Sequence, residues 1–310
     1  MLQKASNSAI DHRQARLGAI YGVLSYGLWG LIPLYFKWVA GVPPVQVLAH
    51  RVLWSFLLLA ALVVALARVR DLRPAIRSPR VMITLAASTL LLALNWFTYI
   101  YAVSTNQVVE ASLGYFLNPL VNVVLGVAIL KEHLRRWQIA SIALAAVGVV
   151  ILGAPLIAVT LAVSFAFYGL LRKTVAVDGL LGLTIETVLL VPPALAYLAY
   201  VARHGTASFT SDDPSTCIKL AASGIVTAAP LLLFTAAARR LRFATLGFLQ
   251  YLAPTVQFLL AVAVFDEPLS DRKLTALVCI WIAVGIYTVD TLRHLAQLRR
   301  ELAEPAPADV

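Results

Sequence analysis

The sequence predicts an all-α integral membrane protein with ten transmembrane helices, arranged as two inverted repeats of five helices each. The first observation behind this prediction is the composition, because 61% of the 310 residues are hydrophobic and only 13% are charged. About a quarter of the residues in a typical soluble protein are charged. The second is a series of apolar segments of membrane-spanning length. The third is an internal pattern that returns at an offset of 135 residues, for example from Pro119 to Pro254.

The apolar segments follow one another along the whole chain. A hydrocarbon core of about 30 Å requires about 20 residues of helix, and most of the segments have about this length, the fifth and sixth being shorter. The predicted spans are residues 17–38, 44–67, 81–103, 107–130, 137–153, 155–172, 179–201, 217–238, 243–265 and 273–292.

Lysine and arginine residues concentrate at alternate ends of these spans. They cluster in residues 4–16, 68–80, 131–136, 172–173, 239–242 and 293–300. If the chain crosses the membrane ten times, all of these segments lie on the same side. Loops rich in lysine and arginine remain in the cytoplasm. We therefore expect two cytoplasmic tails, residues 1–16 and 293–310, with residues 301–310 disordered. The first span has no small-residue cleavage site and is expected to be retained. The net charge of +10 is then explained by loops at a lipid bilayer, and we expect no nucleic-acid partner.

Two apolar segments that carry polar residues, 110–134 and 245–269, contain the internal repeat. At the same offset, Asn122 matches Gln257 and Glu132 matches Glu267. The predicted repeats are residues 17–153 and 155–292. Because each repeat holds an odd number of spans, the second starts on the opposite side of the membrane. Many secondary transporters use such inverted repeats to build two gates around a site at the membrane midplane.

Two charged residues are predicted to lie in the outer half of the membrane. Arg51, which follows His50, is about seven residues inside the second span, at a depth of about 10 Å. An arginine at this depth costs a few kcal/mol unless it is paired or wetted. Glu110 enters the fourth span from the same side, so we expect an Arg51–Glu110 contact. Two interpretations stay open: a structural ion pair, or an outer gate in which Arg51 anchors an anion.

Glu186 is predicted to lie in the inner half of the membrane, about seven residues into the seventh span. The difference in depth, roughly 10–15 Å, argues against a pair with Arg51. The expected partners are the inner arginines Arg172, Arg240 and Arg242. A carboxylate in this position is either part of a structural pair or the carrier of a coupling proton, and both interpretations stay open.

Uncharged polar and aromatic residues near mid-depth are the candidate lining of a substrate cavity. Amides often only join helices by hydrogen bonds, and this interpretation stays open for each of them. Prolines free backbone carbonyls toward a cavity, and deep aromatic rings suit flat organic or cationic solutes. With His50 and Arg51, the candidates are Trp29, Asn95, Tyr99, Tyr115, Asn118, Pro119, Asn122, Tyr168, Gln250, Tyr251, Pro254 and Gln257.

Several functional classes lack a signature in this sequence. It contains no phosphate-binding Gly-x-x-x-x-Gly-Lys loop and no glycine-rich dinucleotide fingerprint, so we expect no cofactor and no ATP-driven transport. Cys217 and Cys279 lack metal-type spacing, and we expect no bound metal. Asp266, Glu267 and Asp271 are interpreted as a solvated cap, so no catalytic constellation is expected.

Several motifs together resemble the EamA family of the drug/metabolite transporter superfamily, in its RarD-type branch. The similarity covers nearly the whole chain in order. It rests on SYGLWGLIPLYFK (25–37), LAHRVLWS (48–55), NWFTYIYAV (95–103), EASLGYFLNPL (110–120), FYGLLRK (167–173), APLLLFTAAARRL (229–241) and LGFLQYLAPTVQFLL (246–260). The resemblance implies a ten-helix permease of the bacterial inner membrane, made of two EamA repeats. It places a central cavity between the first, third, fourth, sixth, eighth and ninth spans, in a group labelled chloramphenicol-sensitive or resistance-associated.

The leading hypothesis is therefore a secondary transporter, not an enzyme, that moves small organic metabolites or drugs by alternating access. The resemblance favours efflux, and coupling to a proton is one expected energy source. The alternatives are a facilitative channel or a flippase for lipid-linked solutes. A membrane enzyme is disfavoured because it requires acidic or histidine clusters at one membrane surface.

Overall fold

The computed structural model of this protein describes residues 2–130, 135–153, 156–210, 212–238, 240–241 and 249–303. Within these ranges it contains eleven α-helices, one short 3₁₀ helix (Val69–Asp71) and no strand. The helices are α1 (Leu2–Trp38), α2 (Pro44–Ala65), α3 (Leu72–Arg77), α4 (Pro79–Ser104), α5 (Val108–Leu130), α6 (Arg136–Leu152), α7 (Leu156–Thr174), α8 (Gly179–Arg203), α9 (Pro214–Ala238), α10 (Leu252–Ala263) and α11 (Asp271–Ala303).

Among the described residues, six helices are long and apolar enough to cross a membrane. They are Arg16–Trp38 of α1, Pro44–Ala65, Pro79–Ser104, Gly179–Arg203, Pro214–Phe234 and Asp271–Asp290. Three shorter apolar helices accompany them: Arg136–Ile151, Leu156–Arg172 and Leu252–Ala263. The prediction of an all-helical membrane protein agrees with this finding.

The helix boundaries differ from the predicted spans mainly at the chain ends. Helix α1 begins at Leu2, so the predicted tail 1–16 is largely helical, and α11 continues to Ala303. Residues 243–248 of the ninth predicted span, and residues 304–310 of the segment expected to be disordered, lie outside the described residues. Pro254 falls in the first turn of α10, where a missing N–H is tolerated. A turn at Gln250 and Tyr251 separates α10 from the helical residue Leu249, so the expected interruption near Pro254 is confirmed.

Contacts between loops and helix ends define the two ends of the helix bundle. The proximal end, as we call it, holds the Gln14–Arg240, Arg68–Asp178 and Arg135–Asp290 contacts. The distal end holds the Lys37–Asn106 and Lys273–Glu110 contacts. Each of the long helices runs from one end to the other.

Small residues allow neighbouring helices to approach closely at several crossings. A Cβ at Gly114 of α5 would lie 2.7 Å from the carbonyl oxygen of Ala158 in α7, and a Cβ at Gly224 of α9 would lie 2.7 Å from that of Trp54 in α2. In α1, Gly18 faces Leu241 and Gly22 faces Leu249 with no room for a side chain. Such contacts replace the hydrophobic effect as a source of helix association in lipid.

Candidate functional site

Arg51 is buried in the distal half of the bundle and is held by aromatic rings. Its Nε–H donates to the Thr227 hydroxyl on α9 at 3.0 Å. Its guanidinium carbon lies 4.2 Å from the ring centre of Trp96 on α4 and 5.5 Å from that of Phe36 on α1. We call Arg51, Thr227, Trp96 and Phe36 the arginine cage. It joins α2 to helices from both halves of the chain.

The cage balances a buried positive charge without an acidic partner among the described residues. An arginine at the centre of a spanning helix costs about 2.5–3.5 kcal/mol on insertion scales. Each desolvated cation–π contact returns about 1–2 kcal/mol, so the two rings offset much of this free energy. The hydrogen bond to Thr227 accounts for a single N–H group, and an arginine side chain carries five.

The predicted contact between Arg51 and Glu110 is wrong. A Glu110 carboxylate oxygen lies 3.8 Å from the Lys273 ammonium group at the start of α11, and Arg51 contacts Thr227 and rings instead. The position of a residue along its helix indicates its depth, but it does not indicate the direction in which the side chain points around the helix axis.

An aromatic row leads from the cage toward the proximal half. Its five rings, Phe36, Tyr99, Tyr115, Phe165 and Tyr168, follow one another with centre-to-centre distances of 5.9, 5.6, 6.2 and 6.0 Å. These spacings lie in the range that aromatic pairs prefer. The row brings together Tyr99, Tyr115 and Tyr168, three of the predicted cavity residues, on α4, α5 and α7.

Asn95 fixes the middle of this row. Its amide nitrogen donates to the carbonyl oxygen of Leu161 and to the hydroxyl of Ser164, both at 3.1 Å. Its amide oxygen accepts the Tyr115 hydroxyl at 3.3 Å. Because all of its polar atoms have partners, Asn95 acts as an interhelical link that orients Tyr115.

Glu186 ends the row on its proximal side. This fully buried carboxylate accepts the Ser88 hydroxyl at 2.5 Å and the Tyr168 hydroxyl at 3.3 Å, and Arg172 Nε lies 3.9 Å away. The Arg172 side chain packs over Gly182, where a Cβ would lie 1.9 Å from the nearest guanidinium nitrogen. The absence of a side chain at position 182 therefore lets the guanidinium reach Glu186.

One of the three expected arginine partners of Glu186 is confirmed, namely Arg172. The expectation for Arg240 is wrong, because its side chain donates to Gln14 and to the carbonyl oxygen of Ala236. Arg242 lies outside the described residues.

Five predicted cavity residues carry buried polar atoms without a hydrogen-bond partner among the described residues. They are the Tyr99 and Tyr251 hydroxyls, both ring nitrogens of His50, and the amide oxygens of Asn118 and Gln257. A buried polar atom left unpaired costs about 1–3 kcal/mol. Native proteins rarely keep such atoms without a functional reason, so these positions are suited to polar groups of a solute.

Two further predicted residues, Trp29 and Tyr251, lie among α1, α9 and α10. Trp29 contacts the rings of Tyr26 and Phe234 at 5.4 and 5.7 Å, and its carbonyl oxygen accepts the Gln257 amide at 3.1 Å. Tyr251 stacks on Phe116 of α5 at 6.4 Å. These contacts join the two halves of the chain.

The remaining predicted positions contribute less. Gln250 is half-buried just before α10, and Pro254 is buried in it. Helix α5 runs without interruption through positions 119 and 122. The side chains of Pro119 and Asn122 lie outside the described residues.

At the distal end, the loop before α9 packs against the start of α2. The Gln46 amide bonds to the backbone of Thr206 and Ser208, both at 2.8 Å, and Phe209 of the same loop stacks on His50 at 5.0 Å. A cavity of about 460 Å³ beside this loop is lined in part by Trp38 and Lys219.

Glu267 is a residue that the sequence interpretation missed. It is 4% exposed, and its two carboxylate oxygens accept the backbone N–H groups of Val108 and Val109 at 2.8 and 2.9 Å. The prediction of a solvated cap is therefore wrong for Glu267, which binds the N-terminus of α5 where unpaired N–H groups and the helix dipole favour an anion. The 135-residue match with Glu132 was the signal that could have found it.

Comparisons with known proteins place this arrangement among transporters. Residues 16–154 match the model of the EamA-like transporter family. Protein RarD of Escherichia coli (strain K12) is 42% identical over 288 residues, which cover 91% of this chain and 97% of that protein. An uncharacterized transporter of Pseudomonas aeruginosa is 43% identical with the same coverage of both chains. A solved crystal structure, 22% identical, has a similar fold with a TM-score of 0.57 and covers 88% of this chain and 97% of its own.

Proposed function

Since this chain belongs to the EamA-like transporter family as a RarD-type member, we propose that it is a secondary transporter of small organic solutes. The observation that carries the proposal is the arginine cage with its aromatic row. It is a buried, polar and aromatic assembly built by helices from both halves of the chain. Groups of this kind are expensive in lipid and mark solute pathways.

The proposed topology has ten membrane crossings in two inverted repeats, residues 17–153 and 155–292, with both termini in the cytoplasm of a bacterial cell. Two observations support it: basic residues cluster in alternate loops, and the contacts at the helix ends alternate between the proximal and distal ends. This topology assigns the distal end to the outer side of the inner membrane.

The proposed mechanism is alternating access around the cage. At the distal end, Gln46 and Phe209 join α2 to the loop before α9, and Glu267 binds the start of α5. A solute leaves on that side only after these contacts open, and a transporter of inverted repeats then closes the proximal end. We further propose efflux of metabolites or drugs, on the basis of the resistance-associated group that the sequence resembles.

A reducible cross-link tests alternating access. Lys37 of α1 and Asn106 before α5 are bonded across the distal end, so both are replaced by cysteine after Cys217 and Cys279 are changed to serine. The protein is reconstituted in liposomes and treated with a bifunctional thiosulfonate. Flux is measured with a solute found by a thermal-shift screen of amino acids, nucleosides and amphenicols, because a bound solute raises Tm.

We expect the cross-link to stop saturable flux and reductant to restore it. The matched control replaces Arg135 and Asp290, which join α6 and α11 away from the cage, and its cross-link should leave flux unchanged. Flux that continues through the cross-linked distal end contradicts alternating access. Flux that rises linearly with solute concentration indicates the channel instead.

A further inference from the structure

The surroundings of Arg51 indicate the chemical class of the solute, given the transport function proposed above. We propose that the solute carries an anionic group, a carboxylate in the simplest case, on a flat apolar or aromatic body. The guanidinium of Arg51 binds the anionic group, and the rings around it hold the body.

The first argument is the distribution of charge among the buried groups. Glu110 lies beside Lys273, Glu186 is held by Ser88, Tyr168 and Arg172, and Glu267 accepts backbone N–H groups. No carboxylate contacts Arg51 in the part of the chain that the structure describes. The acids of the transmembrane region thus have other partners, and the charge of Arg51 is left for an anion that the protein itself does not supply.

The second argument is the hydrogen-bonding capacity of the guanidinium. Its Nε–H donates to Thr227, and the N–H groups of its two terminal nitrogens make no hydrogen bond to a described residue. These planar donors match the two oxygens of a carboxylate, and such charge-assisted bonds are about twice as strong as neutral ones. Thr227 orients the guanidinium while leaving these donors for a ligand.

The third argument is the wall around the guanidinium. Phe36 and Trp96 cover it, and Tyr99 and Tyr115 continue the surface. The Tyr99 hydroxyl is buried and has no partner in the described part of the chain, so it offers one directional polar contact within an apolar wall. Aromatic faces favour an apolar or aromatic body. A cationic solute is excluded, since Arg51 repels it at short range.

The test compares acids with neutral molecules of the same shape. Purified full-length protein in detergent is titrated with benzoate, phenylacetate and indole-3-acetate, and with the primary amide of each. Binding is followed as a concentration-dependent rise in Tm. We expect at least one acid to raise Tm, and its amide to bind about 10- to 100-fold more weakly, the factor that a charge-assisted hydrogen bond provides.

Substitutions assign this selectivity to one residue. Arg51→Gln should remove the preference for the acid, and Arg51→Lys, which keeps the charge but not the planar fork, should retain part of it. Arg135→Gln is the matched control, because it removes an arginine that is paired with Asp290 and should leave the preference intact.

The proposal is overturned if none of the acids binds more tightly than its amide, or if Arg51→Gln keeps the preference. A neutral or cationic solute that is transported with saturation while Arg51→Gln remains active also overturns it. In that case the transport function stands and only the anion site is lost.

Discussion

Arg51 and Glu186 are opposite charges at equivalent positions, 135 residues apart, of the two proposed repeats. They are 7% and 0% exposed. Within the described ranges, Glu186 has three polar partners, Ser88, Tyr168 and Arg172. Arg51 there has one hydroxyl and two aromatic faces. Removal of a buried charge that has a full set of partners leaves those partners unpaired and is destabilising, whereas a charge with few partners keeps hydrogen-bonding capacity for a ligand.

The aromatic row connects these two sites. Tyr168 is both its last ring and a hydrogen-bond donor to Glu186, and Phe36 is both its first ring and a face for Arg51. We expect stability to depend mainly on the Glu186 end and transport mainly on the Arg51 end.

The largest loss of stability is expected at Glu186. Glu186→Ala leaves the Tyr168 hydroxyl without its acceptor, the Ser88 hydroxyl with only the Leu85 carbonyl oxygen, and Arg172 without its carboxylate. We therefore expect a loss of about 2–3 kcal/mol in the free energy of unfolding. Glu186→Gln keeps one acceptor oxygen and replaces the other by an amide NH2 group, so it should lose about half of that. Thermal unfolding in detergent measures both, and a Glu186→Ala protein as stable as the natural one would remove the distinction between the two sites.

A smaller loss is expected at Glu267. Glu267→Ala leaves the N–H groups of Val108 and Val109 unpaired, and loss of such a cap costs about 1–2 kcal/mol. Hydrogen exchange of a peptide that contains both residues should accelerate. Asp266→Asn is the matched control, because it removes the neighbouring charge while asparagine tolerates the positive φ of 51° at that position. Equal acceleration in both variants would contradict the role of the Glu267 carboxylate.

Gly182 provides a second test of the contact between Arg172 and Glu186. Gly182→Ala forces the Arg172 guanidinium away, whereas Gly179→Ala on the same helix meets no atom within 4 Å. An alanine favours helix over glycine in both places, so we expect Gly182→Ala to be less stable than Gly179→Ala by about 1 kcal/mol. The difference should shrink in a Glu186→Gln background. An unchanged difference would show that the contact with Glu186 is not the reason.

The smallest effect is expected at the exposed pair between Arg68 and Asp178. Burial alone raises the pKa of Asp178, but the hydrogen bonds from Arg68 and from the Leu181 and Leu180 N–H groups outweigh it and hold the pKa below its ordinary value. A lowered carboxyl pKa stabilises the fold above the unfolded pKa, and this contribution is lost as pH falls below about 4.

We expect this contribution to be about 0.2–1 kcal/mol, because the pair is open to solvent. Unfolding of the natural protein and of Asp178→Asn, compared between pH 3 and 7, measures it. The two curves should converge at the acidic end, and a constant gap at every pH would contradict the assignment.

Much of the fold could be predicted from the sequence, because hydrophobicity and length determine which helices enter a membrane. Depth could be predicted as well, since each helical residue rises about 1.5 Å, and this correctly separated Arg51 from Glu186. The direction of a side chain around its helix could not be predicted between helices distant in sequence. For this reason Glu110 was expected to pair with Arg51 and instead contacts Lys273.

The role of Glu267 was missed for a related reason. Near a predicted loop, an acid is usually solvated, and the sequence does not show that the N-terminus of α5 lies against it. The contact links residues 159 and 158 positions apart, which only the packed structure brings together.

The most direct test of the contrast between the two buried charges is the unfolding of two variants without added solute. Arg51→Gln and Glu186→Gln each replace a buried charge by a neutral amide of similar shape. We expect Glu186→Gln to lower Tm and Arg51→Gln to leave Tm unchanged or raise it, because residues kept for ligands are often unfavourable for stability. A fall in Tm for Arg51→Gln as large as that for Glu186→Gln would show that Arg51 is a structural residue and would contradict the account.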